Sequence, residues 1–372
     1  MDKIEGLIGR SGFLGSDYKA KAEDIPKTIG IRMQIWKEYP KSKGLVLEEV
    51  YIHTNVEHGP KDSQFDVLIE NIPAVQINED KIQILNKYED EHIDMIHTYA
   101  VARLTLTMYQ RLLKRKIVWS WNQKGSNIPL KVYPHNNKEA MKHANFNKIN
   151  RSLNFGWKDH EKRIYSCKSL DVVVHETGHA ILDSLKPFWE IKRDFVKPQS
   201  FIEQHSIIES FADLSVIFFT LSLFDMVEQI LVISKGNLKR DTQLSKLMEY
   251  FDYESYRNAY NTLKMNDEII QSGRGHMMSQ VFTGAVYYTL ADYFTYKRNA
   301  RFENDALVLY NVSQFIAKIY LKAIERSPDN GPRISDIAQN MIEVAIQESD
   351  FILAYILFKQ FEFREIFVKK IS

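Results

Sequence analysis

Two histidines four residues apart bracket a glutamate in His175-Glu176-Thr177-Gly178-His179. On an α-helix, residues i and i+4 differ by about 40° around the axis, so both imidazoles leave one face and can share a zinc ion. Glu176 sits beside that face, placed to take a proton from a metal-bound water. Thirty residues beyond His179, the stretch Glu209-Ser210-Phe211-Ala212-Asp213 offers a further ligand. Glu209 would complete a set of two imidazoles and one carboxylate, which leaves the fourth position of zinc to water. Asp213, one turn on, faces the same way and can accept the free N–H of a liganding histidine. Ile207, Ile208, Phe211, Leu214, Val216 and Ile217 surround the two acids with apolar residues. Unpaired carboxylates in such surroundings are costly, which argues against two idle surface acids.

Two helices must carry these groups. Asp171 can cap the first or complement its dipole, and Val172, Val173 and Val174 begin a buried stretch. The segment around Glu209 is helix-patterned and long enough to pack beside it. Upstream, Ile93, Ile96, Ala100, Leu104, Met108 and Leu112 fall at spacings of three and four and predict a helix over Glu89 to Lys116. Strands are expected at Leu45 to His53, Phe65 to Glu70, Ile117 to Trp121, Leu130 to Tyr133 and Ser152 to Trp157. From Ser169 onward the chain reads as mostly helical. The class is α+β, divided into a small β-containing module (1–85), a lobe carrying the two ligand helices (86–260) and a helical C-terminal lobe (261–372).

Composition narrows the chemistry. Among 372 residues, Lys+Arg 49 against Asp+Glu 48 gives a net charge of +1, which supplies no field for a polyanion. Nucleic acid and membrane are therefore not expected as partners. The single cysteine, Cys167, excludes an internal disulfide and any cysteine-cluster metal site, so a metal would be held by nitrogen and oxygen. The first twenty residues lack the apolar core of a signal peptide, and with one cysteine the expected compartment is the cytoplasm.

The sequence resembles the thermolysin-type gluzincin metallopeptidases, first in Asp171 to Ala180 and in Glu209 to Asp213. Asn145 followed by Leu153-Asn-Phe-Gly156 resembles the family's edge strand, and Gly275-His276-Met-Met-Ser279 resembles the loop and helix that carry its transition-state histidine. The resemblance implies a two-lobed thermolysin-like fold and a zinc endopeptidase acting on peptides or proteins. His175, His179 and Glu209 would bind one zinc ion, Glu176 would be the base and proton shuttle, Asp213 would orient His175, and His276 would hydrogen-bond the developing oxyanion. Asn145, Phe155 and Gly156 would contact substrate. The family's tyrosine and arginine oxyanion partners have no clear counterpart, and His205, one turn before Glu209, is a candidate to replace one. Phe146-Asn147-Lys148 is more polar than the family's pattern. Thr220 stands where a calcium carboxylate is expected, so calcium is not expected. The stretch between His179 and Glu209, with Pro187, Trp189 and Pro198, is long enough to form a lid. Residues 1–85 are a candidate docking site for a regulatory partner. Two alternatives stay open: a latent enzyme restrained by those residues, and a non-catalytic zinc-binding interaction protein using the same cleft.

Overall fold

The computed structural model describes residues 30–38, 45–77, 90–136, 144–158, 164–189, 198–247, 257–268, 275–299 and 301–368. Ile31–Glu38 (β1) and Leu45–Ile52 (β2) pair antiparallel, from Ile31 opposite Ile52 to Glu38 opposite Leu45. Ile31, Met33 and Ile35 alternate inward, and Lys37, in the same phase, is buried with them. Its ammonium is compensated by Glu48 at 3.1 Å and by Asp225 at 2.7 Å. Asp225 opens the helix Phe224–Ser234, so the ion pairs tie the hairpin to a distant part of the chain.

A four-stranded sheet follows, in the order β3 (Phe65–Val67), β4 (Leu130–Tyr133), β6 (Ser152–Phe155), β5 (Ala144–Asn147). The first three strands run parallel and β5 is antiparallel to β6. Residues near 85 lie outside the described residues, but β3 on one side pairs with β4 on the other. The helix expected over Glu89 to Lys116 spans Asp90–Leu113 (α1) and stops where Lys114 adopts a left-handed φ of 53°. Hairpin β1–β2 packs on it. No strand forms over Ile117 to Trp121. Side chains satisfy this segment instead: Ile117 N–H donates to Gln110 Oε1, Gln64 Nε2 donates to the Ile117 carbonyl, and Trp119 Nε1 donates to the Gln64 carbonyl. Two small pairs, β7 (Trp157–Lys158) with β8 (Ile164–Tyr165) and β9 (Lys246–Leu247) with β10 (Arg257–Asn258), complete the strands among the described residues.

The helical half comprises Leu170–Leu185 (α2), Pro198–Thr220 (α3), Phe224–Ser234 (α4), Gly275–Lys297 (α5), Asp305–Arg326 (α6), Ile334–Gln347 (α7) and Phe351–Phe363 (α8). Ser169, not Asp171, caps α2, accepting from the Val172 N–H; Asp171 lies in the first turn, where its charge complements the dipole. Buried Arg364 closes the C-terminal end by donating to the Asn261 side chain and to the carbonyls of Asn261 and Leu263. The most extensive helix–helix packing joins α3 to α5, across the boundary expected near 260. Among the described residues no single helix is long and apolar enough to cross a membrane; α3 and α4 reach that length only together, across a 92° bend.

Candidate active site

Close helix packing builds the site. A Cβ on Gly178 would lie 2.8 Å from Ser215 Oγ and 3.2 Å from Ala212 Cα, so the glycine lets α3 approach α2 along the face that carries the ligands. On its other side α3 is joined to α5 by two serines one turn apart: Ser206 Oγ donates to the Gly275 carbonyl and Ser210 Oγ to the Ser279 carbonyl, both at 3.0 Å.

Between these helices His175 Nε2 and His179 Nε2 face each other at 3.1 Å. Each also faces the Glu209 carboxylate, at 3.4 Å and 3.7 Å to its two oxygens. Two ring nitrogens directed at one point beside a carboxylate form a donor set that suits a divalent cation, and three protein ligands leave a position open. Glu176 also lies within 4.8 Å of the two histidines. Its carboxyl is hydrogen-bonded by the Phe146 main chain on β5, which fits it for proton transfer better than for ligation. Burial, aided by the neighbouring Glu209 charge and opposed by His175, pushes Glu176 up to about 7. A carboxyl poised there can exchange protons near neutrality.

Asp213 is fully buried, and its Oδ1 lies 3.2 Å from both His175 Nδ1 and Arg257 Nη1. The carboxylate thus faces the ring nitrogen of His175 that points away from Glu209, with the guanidinium beside it. Burial and the Arg257 charge would lower His175, but Asp213 and Glu209 outweigh them and hold it up to about 9; burial takes His179 down to about 3. Glu209 is held well below the usual carboxylate range: burial opposes this, and the bonds from His175 and His276 prevail. Arg257 Nη1 donates to Glu209 Oε2 at 2.7 Å. This arginine was not identified from the sequence, since it sits 48 residues from Glu209 on a two-residue strand with no local signature. His276, at the start of α5, places Nδ1 3.2 Å from Glu209 Oε2 and is 61% exposed.

The substrate-contact residues divide. Asn145 lies on β5, which is an edge strand of the sheet among the described residues, with its Oδ1 accepting from Asn154 Nδ2. The edge strand is β5 itself and not Leu153 to Gly156, which requires a correction: Phe155 is fully buried on the interior strand β6, and buried Gly156 follows it, with its carbonyl accepting from Ser166 N–H. Neither reaches the edge. The start of the expected lid is tied elsewhere, since Trp189 donates to the Pro328 carbonyl and Lys186 to the carbonyls of Glu325 and Ser327. Residues 190–197 lie outside the described residues.

A second group with ligand chemistry, Asp94, His135 and Cys167, is separate. Its acid is already shared between Lys168 Nζ at 2.7 Å and His135 Nε2 at 2.9 Å, and burial pushes the Cys167 thiol well up. Lys168 supplies the cation here.

Residues 61–183, a third of the chain, match the family model of the thermolysin metallopeptidase catalytic domain. That segment holds the sheet, α1 and both histidines, and stops before Glu209. The chain also resembles in structure the precursor of protealysin, a metalloproteinase from Serratia proteamaculans, at 14% identity and a TM-score of 0.51, over 85% of this chain and 91% of that one. At that identity the likeness speaks for the fold. No curated protein matches the sequence. The two comparisons agree: residues 61–183 resemble the thermolysin metallopeptidase catalytic domain, and the chain shares the fold of a metalloproteinase precursor.

Proposed function

We propose that the chain is an endopeptidase in which His175, His179 and Glu209 hold zinc and Glu176 is the general base. The observation that carries this reading is the convergence of both Nε2 atoms on Glu209, with Glu176 buried beside them and bonded to the edge strand. Held there, zinc would supply Lewis-acid chemistry, activating a water and polarising the substrate carbonyl. The protein does the rest. An extended peptide adds to β5, an edge strand among the described residues, through its backbone, and the Asn145 amide, its oxygen held by Asn154, keeps Nδ2 as a donor to that peptide. Glu176 takes the water's proton on its carboxylate and delivers it to the departing amine. His276 uses Nδ1 toward Glu209 and offers Nε2 to the carbonyl oxygen as charge develops there. Asp213 fixes the ring of His175, and Arg257 balances the two buried acids.

The test is a pair of variants. Glu176→Gln should keep zinc and abolish peptide cleavage, whereas His179→Ala should lose both. Full proteolysis by zinc-loaded Glu176→Gln would overturn the assignment. A second reading, a latent enzyme, draws support from the likeness to a structure described as a precursor. Removing residues 1–85 would also remove β3 from the sheet, so truncation is a poor test. A gain of activity during incubation, accompanied by loss of an N-terminal fragment, supports latency; constant activity of the intact chain refutes it.

A further inference from the structure

We propose that His205 is a second imidazole donor to the substrate's carbonyl oxygen, acting beside His276. The proposal rests on the hydrolytic reading above. His205 stands one helical turn before Glu209 on α3, with Nε2 3.9 Å from Glu209 Oε1, close to the 3.7 Å that separates His179 Nε2 from the same oxygen. Its burial differs from that of the ligands. The side chains of His175 and His179 are 4% and 13% exposed, whereas that of His205 is 39% exposed. It therefore lies on the solvent side of the cluster, where a substrate must arrive.

The ring is held there. Its centroid is 5.3 Å from that of His276, with the planes at 81°. A Cβ on Gly275 would come within 2.5 Å of His205 Nδ1, so the glycine admits the ring against the start of α5 and the Nε2 edge is the one that faces the cluster. The Ser206–Gly275 hydrogen bond, one residue from each imidazole, fixes the two rings at the same level. Two preorganised donors flanking one oxyanion position is the arrangement that stabilises acyl-transfer transition states. As a fourth metal ligand His205 would instead close the position that hydrolysis needs open.

The experiment uses full-length zinc-loaded protein with His205→Phe, which keeps a ring but no donor, and His205→Gln, which keeps an N–H. On a quenched peptide, His205→Phe should lower kcat by about a hundredfold with KM held within about threefold, and His205→Gln should recover most of the loss. Calorimetric binding of a phosphonamidate peptide should weaken by a similar factor in His205→Phe while a product peptide binds as before. Zinc should stay at one per chain. Wild-type kcat in His205→Phe, loss of zinc, or no recovery in His205→Gln would overturn the proposal. A wild-type chain that binds zinc and cleaves nothing would sink the hydrolytic reading and this one with it.

Discussion

Gly178 offers the sharpest test of how the fold sets the metal centre, because it lies inside the histidine motif and contributes no ligand. Replacing it with alanine places a methyl 2.8 Å from Ser215 Oγ and 3.2 Å from Ala212 Cα. Ser215 cannot swing aside freely, since its Oγ bonds both the Phe211 carbonyl and the buried Tyr109 hydroxyl, at 2.7 Å and 2.6 Å. Normal van der Waals separation is near 3.6 Å, so α2 and α3 must part by about half an ångström or more. Overpacking of that kind costs about 1–3 kcal/mol, and removing glycine from a helix returns about 1 kcal/mol. The expected net loss is about 0–2 kcal/mol in urea unfolding of the zinc-free protein. The larger effect should fall on the metal, because His175 and His179 ride on one helix and Glu209 on the other. Chelator competition should show zinc affinity down by about tenfold, the low end of what disturbed ligand orientation costs. Ser215→Ala in the same chain removes the closest atom and should restore part of both losses. Unchanged zinc affinity in Gly178→Ala, or no relief from Ser215→Ala, would refute the idea that this contact sets the ligand spacing.

Other predictions follow from named contacts. His97 is buried, accepts the Trp36 N–H on Nδ1 at 2.9 Å, and is held down to about 4 chiefly by burial. Its folded value lies below the ordinary 6.5, so its contribution is complete above that pH and is lost as pH falls. From about pH 7.5 to about pH 5 the loss should be about 2 kcal/mol, and His97→Gln should remove that share of the pH slope; an unchanged slope would refute it. Asp213→Asn should weaken zinc binding by about 10–100-fold while leaving the fold intact, read by chelator competition and circular dichroism. Lys37→Met should cost less than about 1.5 kcal/mol in urea unfolding, because Glu48 and Asp225 are exposed enough to rehydrate once the ammonium is gone.

What the sequence revealed of the site was what a single helix determines. His175 with His179, and Glu209 with Asp213, are four residues apart, and helical geometry alone puts each pair on one face. In the structure the two faces meet, with His175 and His179 against the Glu209 carboxylate. Arg257 could not be found this way, because its partners come from tertiary packing across 48 residues. The edge strand was misplaced for a related reason. Two short strands in tandem both suit an edge, and only the pairing order shows that the more polar Ala144–Asn147 is outside and Ser152–Phe155 inside. The segment over Ile117 to Trp121 has strand composition, but glutamine side chains take the hydrogen bonds a neighbouring strand would have made.

If peptides add to β5 as proposed, the position of that strand beside Glu176 carries a consequence for what is cut. Backbone pairing at an edge requires that the partner lie flat as a strand, whatever preference side-chain pockets then add. A native substrate must first release a local stretch of its own structure, and a stretch costing about 3 kcal/mol to open is presented less than about one per cent of the time. The vulnerability of a folded protein to cleavage in this way would then depend on its own local stability as well as on its residues near the scissile bond. The same chain would be spared when folded and cut when damaged.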